Sequence, residues 1–149
     1  MDSRIPPSET PDCPDPSELL SITIEPNSGS TVVVARGEVD LYTAPLLRSA
    51  LHEAIDGSAE CVVIDLADVT FMASSGLATL LAGLDHAQRR RCELRLAGGG
   101  RAVRRPLQAT GLDATFNHYP SAAAAIRDWT RARLEMVITA GTAPSTDTP

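Results

Sequence analysis

The chain has 149 residues, 43% hydrophobic, 21% charged and only 3% aromatic, which is globular composition and enough length for one modest domain. Fibrous, collagen-like and repeat-array proteins are excluded, and no apolar run approaches the roughly 18 residues of a transmembrane helix. The net charge of −6 gathers at the start, with five acids and one Arg in residues 1–18, so the near-neutral centre offers neither a nucleic-acid surface nor a polybasic membrane patch.

Residues 1–18, MDSRIPPSETPDCPDPSE, mix Pro with Ser, Thr, Asp and Glu and bury too little apolar surface to offset the entropy of ordering. They predict a disordered leader. The segment lacks the basic-then-apolar order of a signal peptide, so the expected location is cytoplasmic. Leu20-Ser-Ile-Thr-Ile24 alternates at period two. After the turn Pro26-Asn-Ser-Gly29 the run Thr31-Val-Val-Val-Ala35 completes a predicted hairpin. From Thr43, a candidate N-cap, Leu46, Leu47, Ala50, Leu51, Ala54 and Ile55 line one face of a helix that stops at Gly57.

Cys61-Val-Val-Ile-Asp65 has the continuous apolar character of a strand covered on both faces, with a polar turn expected at Ala67-Asp68. Ser74 to Arg91 places Leu77, Leu80, Leu81 and Leu84 on one helical face and basic residues in its last turn. Glu93–Ala97 reads as a strand, and Gly98-Gly-Gly100 as a turn into a short helix ending at Thr110-Gly111. Thr115–Tyr119 reads as a last strand, and Ser121 caps a final helix with Asp128, Arg131 and Glu135 spaced for ion pairs. The predicted fold class is therefore α/β: one domain over 19–138, a mixed, mainly parallel sheet with an antiparallel edge strand and about four helices. Residues 139–149 repeat the leader's composition and predict a disordered tail.

Catalytic and metal-binding readings find little support. Cys13, Cys61 and Cys92 show no metal-ligand or redox spacing, and His52, His86 and His118 stand singly. Asp40 and Asp65 fall at strand ends, where Asp supports turns. A nucleophile elbow would need Gly where Met72 or Ala73 stands. No cofactor or metal is expected, and the chain reads as a non-enzyme. The most informative stretch is Phe71-Met-Ala-Ser-Ser-Gly-Leu77, where a buried strand hands over to an amphipathic helix. It sets two hydroxyls at a helix N-terminus, whose free N–H groups and dipole favour an anion such as a phosphate on Ser74 or Ser75. Simple N-capping by Ser74 is the plainer alternative.

Arg36-Gly-Glu-Val-Asp40 with Thr43-Ala-Pro45, then Val63-Ile-Asp-Leu66, Val69-Thr-Phe-Met-Ala-Ser-Ser-Gly-Leu77 and Thr110-Gly-Leu112 together resemble the STAS domains, and within them the bacterial anti-sigma factor antagonists. The resemblance covers about residues 20–137. It implies a cytoplasmic regulator of transcription that binds an anti-sigma factor with serine kinase activity and releases a sigma factor. Phosphorylation at the second helix N-terminus would switch it off, and a PP2C-type phosphatase would restore it. Carried over, the phosphoacceptor falls on Ser74, with Ser75 as the alternative. The docking surface falls on Asp40, Thr43, Asp68, Met72, Ala73, Ser74, Ser75 and Gly76. Ala73 stands where phosphorylated antagonists often carry Asp, which points to the alternative of a non-phosphorylated STAS docking subunit in a lipid-transport or stress-sensing assembly. Neither nucleic acid nor membrane is expected as a partner.

Overall fold

The computed structural model describes residues 14–146, with side chains to residue 139. The remainder of the expected leader and tail, 1–13 and 147–149, lies outside the described residues. Within the expected leader, α1 (Pro16–Leu19) forms because the Asp15 carboxylate accepts the Ser17 N–H at 2.9 Å and Pro16 occupies a position where a missing N–H loses no hydrogen bond.

The elements then follow as β1 (Leu20–Pro26), β2 (Ser30–Val39), α2 (Ala44–Asp56), β3 (Cys61–Met72), α3 (Ser74–Arg89), β4 (Glu93–Ala97), α4 (Arg101–Ala109), a 3-10 turn at Leu112–Ala114, β5 (Asn117–Tyr119) and α5 (Ala122–Thr146). The strands lie side by side in sequence order. β1 pairs antiparallel with β2, and every other pair is parallel. The α/β class and the antiparallel edge are as expected. The composition boundary at 138 falls inside α5: Gly141 costs a helix only about 1 kcal/mol, too little to end one already formed.

Three crossovers step in one direction across the parallel strands, which puts α2, α3 and α4 on one face of the sheet. There Val33, Val39, Ile64 and Leu96 of the strands meet Leu47, Leu51, Leu80, Val103 and Leu107 in the main core. The other face is covered by α5, whose Ala125 and Trp129 pack on Val32, Val34, Cys61 and Val63. Cys61 to Ile64 are fully buried for that reason, and burial pushes the Cys61 thiol up to about 12.

A buried cation fastens α5. Arg95 on β4 is 5% exposed and donates to Asp128 at 2.8 Å, Tyr119 Oη at 2.7 Å and Glu93 at 3.0 Å. Asp128 also accepts from Tyr119 and Arg131, and these bonds, Tyr119 first, hold its carboxyl down at about 2. Asp128 pairs with Arg131 as its spacing predicts. Further along, Trp129 lies against Gly29 in the β1–β2 turn, and Arg133 pairs with Glu60 just before β3. The second half of α5 thus sits at the edge where the parallel strands begin.

One expected turn is absent. Ala67-Asp68 lies within β3, which runs on to Met72 beside β2 after its pairing with β4 ends at Asp65–Ala97. The polar residues are accommodated by register shifts between Val34 and Arg36 and between Gly37 and Glu38, which bend the ribbon without ending it. Asp65 accepts the Ala67 N–H at 3.0 Å, the local turn chemistry that the composition suggested.

Candidate docking surface at the start of the second helix

β2, β3 and β4 are parallel and each is followed by a helix, so α2, α3 and α4 all begin at one edge of the sheet. That edge is where loops converge and where α/β folds present their working surfaces. Its centre is the junction of β2 and β3, where the Ala73 N–H donates to the Val39 carbonyl at 2.8 Å beside the Val39–Met72 pair. The bond brings the Asp40–Thr43 loop against Ala73–Gly76.

On the β2 side the loop is locked from within. The Asp40 carboxylate accepts the N–H groups of Tyr42 and Thr43 at 2.9 and 3.0 Å. The Thr43 hydroxyl donates to Glu38 O at 2.7 Å and accepts the Asp40 N–H at 3.0 Å. Thr43 stands at the cap position of α2 but makes no side-chain cap bond, and it is fully buried. Asp40 satisfies the loop amides in its place, because its carboxylate closes an Asx turn onto the Tyr42 N–H two residues on and reaches the Thr43 N–H as well. Thr43 therefore shapes the surface from beneath.

On the β3 side the cap of α3 is Ala73, with no side-chain hydrogen bond, and Ser74 and Ser75 occupy the first two helical positions. The expected N-capping by Ser74 is not found: the residue sits one position too late to reach back to the amides of its own first turn. The two hydroxyls differ sharply. Ser74 is exposed and its hydroxyl has no hydrogen-bond partner among the described residues, whereas Ser75 Oγ is buried and unpaired. Only Ser74 presents a hydroxyl to solvent.

Besides Thr43, two more residues expected on the surface are inside. Met72 is 4% exposed, and Gly76 is buried so tightly that a Cβ would lie 2.3 Å from Met72 Sδ and 2.7 Å from Val39 Cγ1. Alternation along β3 turns Met72 inward, and the third residue of α3 faces the sheet. Asp68 is exposed on β3 and pairs with Arg36 at 3.4 Å, to one side of the junction.

The apolar part of the surface was hidden within the expected segments. Leu41 is 82% and Phe71 49% exposed, and both flank the Ala73–Val39 bond, with Tyr42 beside them donating its hydroxyl to the Pro14 carbonyl at 2.5 Å. An apolar residue in a strand reads as core by default; the visible signal was Leu41-Tyr42, an apolar pair inside a turn after Asp40. Exposed apolar groups ringing a polar centre mark a protein-docking patch.

The neighbouring edge is different. Gly98 and Gly99 take φ of +69° and +85°, and a Cβ on either would press Ala67 or Val103, so this glycine run is a turn into α4, as its composition suggested, in a conformation that only glycine adopts without strain. An open cleft of about 510 Å³ lies beside it, lined by Ala67, Arg104, His118 and Tyr119, and His118 Nε2 is bonded to Gly98 O at 2.7 Å.

Comparison with known families adds a decisive observation, because a model described as STAS domain matches residues 21–125. The chain belongs to the STAS family. It is 32% identical over 99 residues to the anti-sigma-F factor antagonist RsfB of Mycobacterium tuberculosis, covering 66% of this chain and 80% of that protein. It is also 32% identical over 80 residues to the anti-sigma-B factor antagonist of Listeria monocytogenes, with 54% and 70% covered. Among solved structures, an anti-sigma factor antagonist from Mycobacterium paratuberculosis superposes with a TM-score of 0.68 at 35% identity, covering 73% of this chain and 92% of the other. No helix among the described residues is long and apolar enough to cross a membrane.

Proposed function

We propose that this STAS domain is an anti-sigma factor antagonist: it docks an anti-sigma factor with serine kinase activity through the surface around Ser74, freeing a sigma factor, and is switched off by phosphorylation of Ser74. The observation that carries the reading is the contrast between the two serines. Ser74 offers an exposed, unbonded hydroxyl on the first residue of α3, while Ser75 Oγ is inaccessible to a kinase. The kinship with RsfB and the Listeria antagonist supports the same role.

The switch has a simple electrostatic basis. Unmodified Ser74 is small and neutral among Leu41, Phe71 and Ala73, so a partner covers it at little desolvation cost. Phosphate adds a charge of about −1.5 to −2. The first-turn N–H groups and the dipole of α3 accept that charge, so the domain itself keeps its fold. A docked partner would have to strip water from it beside Glu38 and Asp40. If this opposes docking by about 3 kcal/mol, affinity falls on the order of a hundredfold. A PP2C-type phosphatase would then return the chain to its binding form.

The test has two steps. Protein from its native cell is isolated under growing and stressed conditions, and the peptide spanning residues 69–89 is scanned for phosphate. Affinity for the co-purified anti-sigma factor is then compared between Ser74 protein, enzymatically phosphorylated protein and Ser74→Ala. Condition-dependent occupancy of Ser74 and a large loss of affinity on phosphorylation are expected. A stable partner without a kinase domain, and no phosphate in any condition, replaces this reading with a constitutive STAS docking subunit, for which Ala73 rather than Asp before the serine is the sequence feature.

A further inference from the structure

The sheet has two edges. β5 is three residues long, whereas β1 runs for seven, Leu20–Pro26, and pairs on one side only. At the hairpin the Asn27 N–H donates to the Ser30 carbonyl at 2.8 Å. Counting back along the antiparallel register, Ser21, Thr23 and Glu25 turn their main-chain groups to β2, and Ile22 and Ile24 turn theirs outward. Those outward N–H and C=O groups meet no partner among the described residues. The free stretch is bounded by Leu20, whose N–H donates to the Pro16 carbonyl, and by Pro26, which has no N–H.

A groove of about 420 Å³ runs beside this edge, between β1 and α2. Leu20, Ile22, Ile24, Leu46 and Ala50 give it an apolar wall, and Glu53 lines it as well. Side chains alternate along a strand. One added beside β1 would therefore lay every second side chain over Ile22, Ile24 and Leu46 and turn the others to the face that carries Ser21, Thr23 and Glu25.

Charge selects the occupant. Glu18 before β1, Glu25 on it and Glu53 in the groove are exposed, and none makes an ion pair among the described residues. α1 and β1 contain no Arg. The one arginine of α2, Arg48, does not line the groove: it lies one turn before His52, whose ring meets His86 of α3 at 4.6 Å, and so is turned toward α3. Arg36, the cross-strand neighbour of Ser21, is engaged by Asp68. A second copy of the chain fits poorly, because pairing β1 with itself would gather both sets of these carboxylates along one seam. Glu25 and Pro26 also guard the edge against uncharged strands. A basic strand is the one that gains from both the free backbone groups and the unpaired acids.

We infer that β1 is a docking edge for an extended segment of a partner protein in which apolar residues alternate with Lys or Arg. The segment joins the sheet beside β1 through the main-chain groups of Ile22 and Ile24. Its apolar side chains fill the groove, and its cations meet the carboxylates that border it. The surface uses no residue of the patch around Ser74, so the inference stands without the function proposed for that patch.

The experiment uses the full chain, isotope-labelled for amide NMR, and two synthetic probes, acetyl-RVKVRV-amide and the acidic acetyl-EVEVEV-amide. Chemical shifts and amide hydrogen exchange are followed through each titration. At saturation the basic probe should slow exchange at Ile22 and Ile24 by about tenfold and shift the groove residues, while Ser21, Thr23 and Glu25, already bonded to β2, change little. The acidic probe should do neither. E18Q/E25Q/E53Q, altered only at exposed positions, should raise the dissociation constant of the basic probe by about fivefold and flatten its salt dependence. Ile22→Pro removes one outward N–H, which an edge strand tolerates, and should abolish the protection. If that variant fails to fold, the glutamine variant decides alone.

Equal binding of the two probes overturns the chemistry assigned to the partner, and shifts centred on another surface overturn the site. Slow exchange at Ile22 and Ile24 without any probe overturns the inference too. Where it persists on dilution the chain covers its own edge, and where it fades the occupant is a second copy.

Discussion

Gly76 offers the sharpest test of how the docking edge is built. A glycine inside a helix is ordinarily improved by Ala, which gains about 0.5–1 kcal/mol from reduced backbone freedom in the unfolded chain. Here the added methyl meets Met72 Sδ at 2.3 Å and Val39 Cγ1 at 2.7 Å. Met72 can swing its thioether only into a filled core, and Val39 is β-branched, fully buried and held in β2, so it has no second rotamer to adopt. Overpacking of this kind costs about 1–3 kcal/mol. The balance for Gly76→Ala is a net loss of about 1–2 kcal/mol, or about 3–10 °C in Tm for a domain of this size. Thermal unfolding followed by circular dichroism, with urea midpoints as a second measure, reads it directly. Combining Gly76→Ala with Met72→Ala removes the nearer clash, so the double variant should be about 1 kcal/mol more stable than the two single losses predict together. A Tm for Gly76→Ala equal to or above that of the parent refutes the reasoning, since the helix would then have room at this position. By the same geometry a Gly76→Asp substitution would disturb folding, so any loss of binding it caused would say nothing about the surface.

Other expectations follow from the same edge and from the opposite face. Leu41→Ser and Phe71→Ser should each weaken anti-sigma binding by about 1–3 kcal/mol, measured by calorimetry, with Tm unchanged or raised, because both side chains lie outside the core; equal affinities would move the docking patch elsewhere. The Asp128 carboxyl, held at about 2 against an ordinary value of 3.8, contributes stability that is complete above about pH 4 and is lost as pH falls toward 2. Urea midpoints between pH 5 and 2, on the order of that window, should fall more steeply for the parent than for Asp128→Asn, and parallel curves would show that the bonds from Tyr119, Arg95 and Arg131 carry no linkage.

Much of this architecture was readable because period and burial agree. Leu47, Ala50, Leu51, Ala54 and Ile55 recur at helical spacing and are the buried face of α2; Cys61–Ile64 are apolar without alternation and lie covered on both sides. What was not readable depends on contacts between distant segments. The extension of β3 to Met72 takes up one extra residue of β3 at each of two register shifts against β2, and a sequence of polar residues cannot announce that the strand will bulge rather than end. The distinction between Ser74 and Ser75 turns on a single helical position, set by the Ala73–Val39 hydrogen bond across thirty-odd residues of chain. Met72 and Gly76 were assigned to the surface with the motif that contains them, although alternation alone argues that Met72 points inward. Arg95 gave least warning: in an alternating strand it reads as an exposed position, and only the arrival of α5 with Asp128 makes it a buried clamp.

That clamp has a practical corollary. It holds α5 on the back of the sheet, pointing away from the edge where the three other long helices begin, so its far end and the patch around Ser74 occupy opposite poles of the molecule. A tether at the far end of α5 would orient every copy on a sensor chip with its working pole toward solution, whereas a tether at Pro14, beside Tyr42, would press that pole against the support.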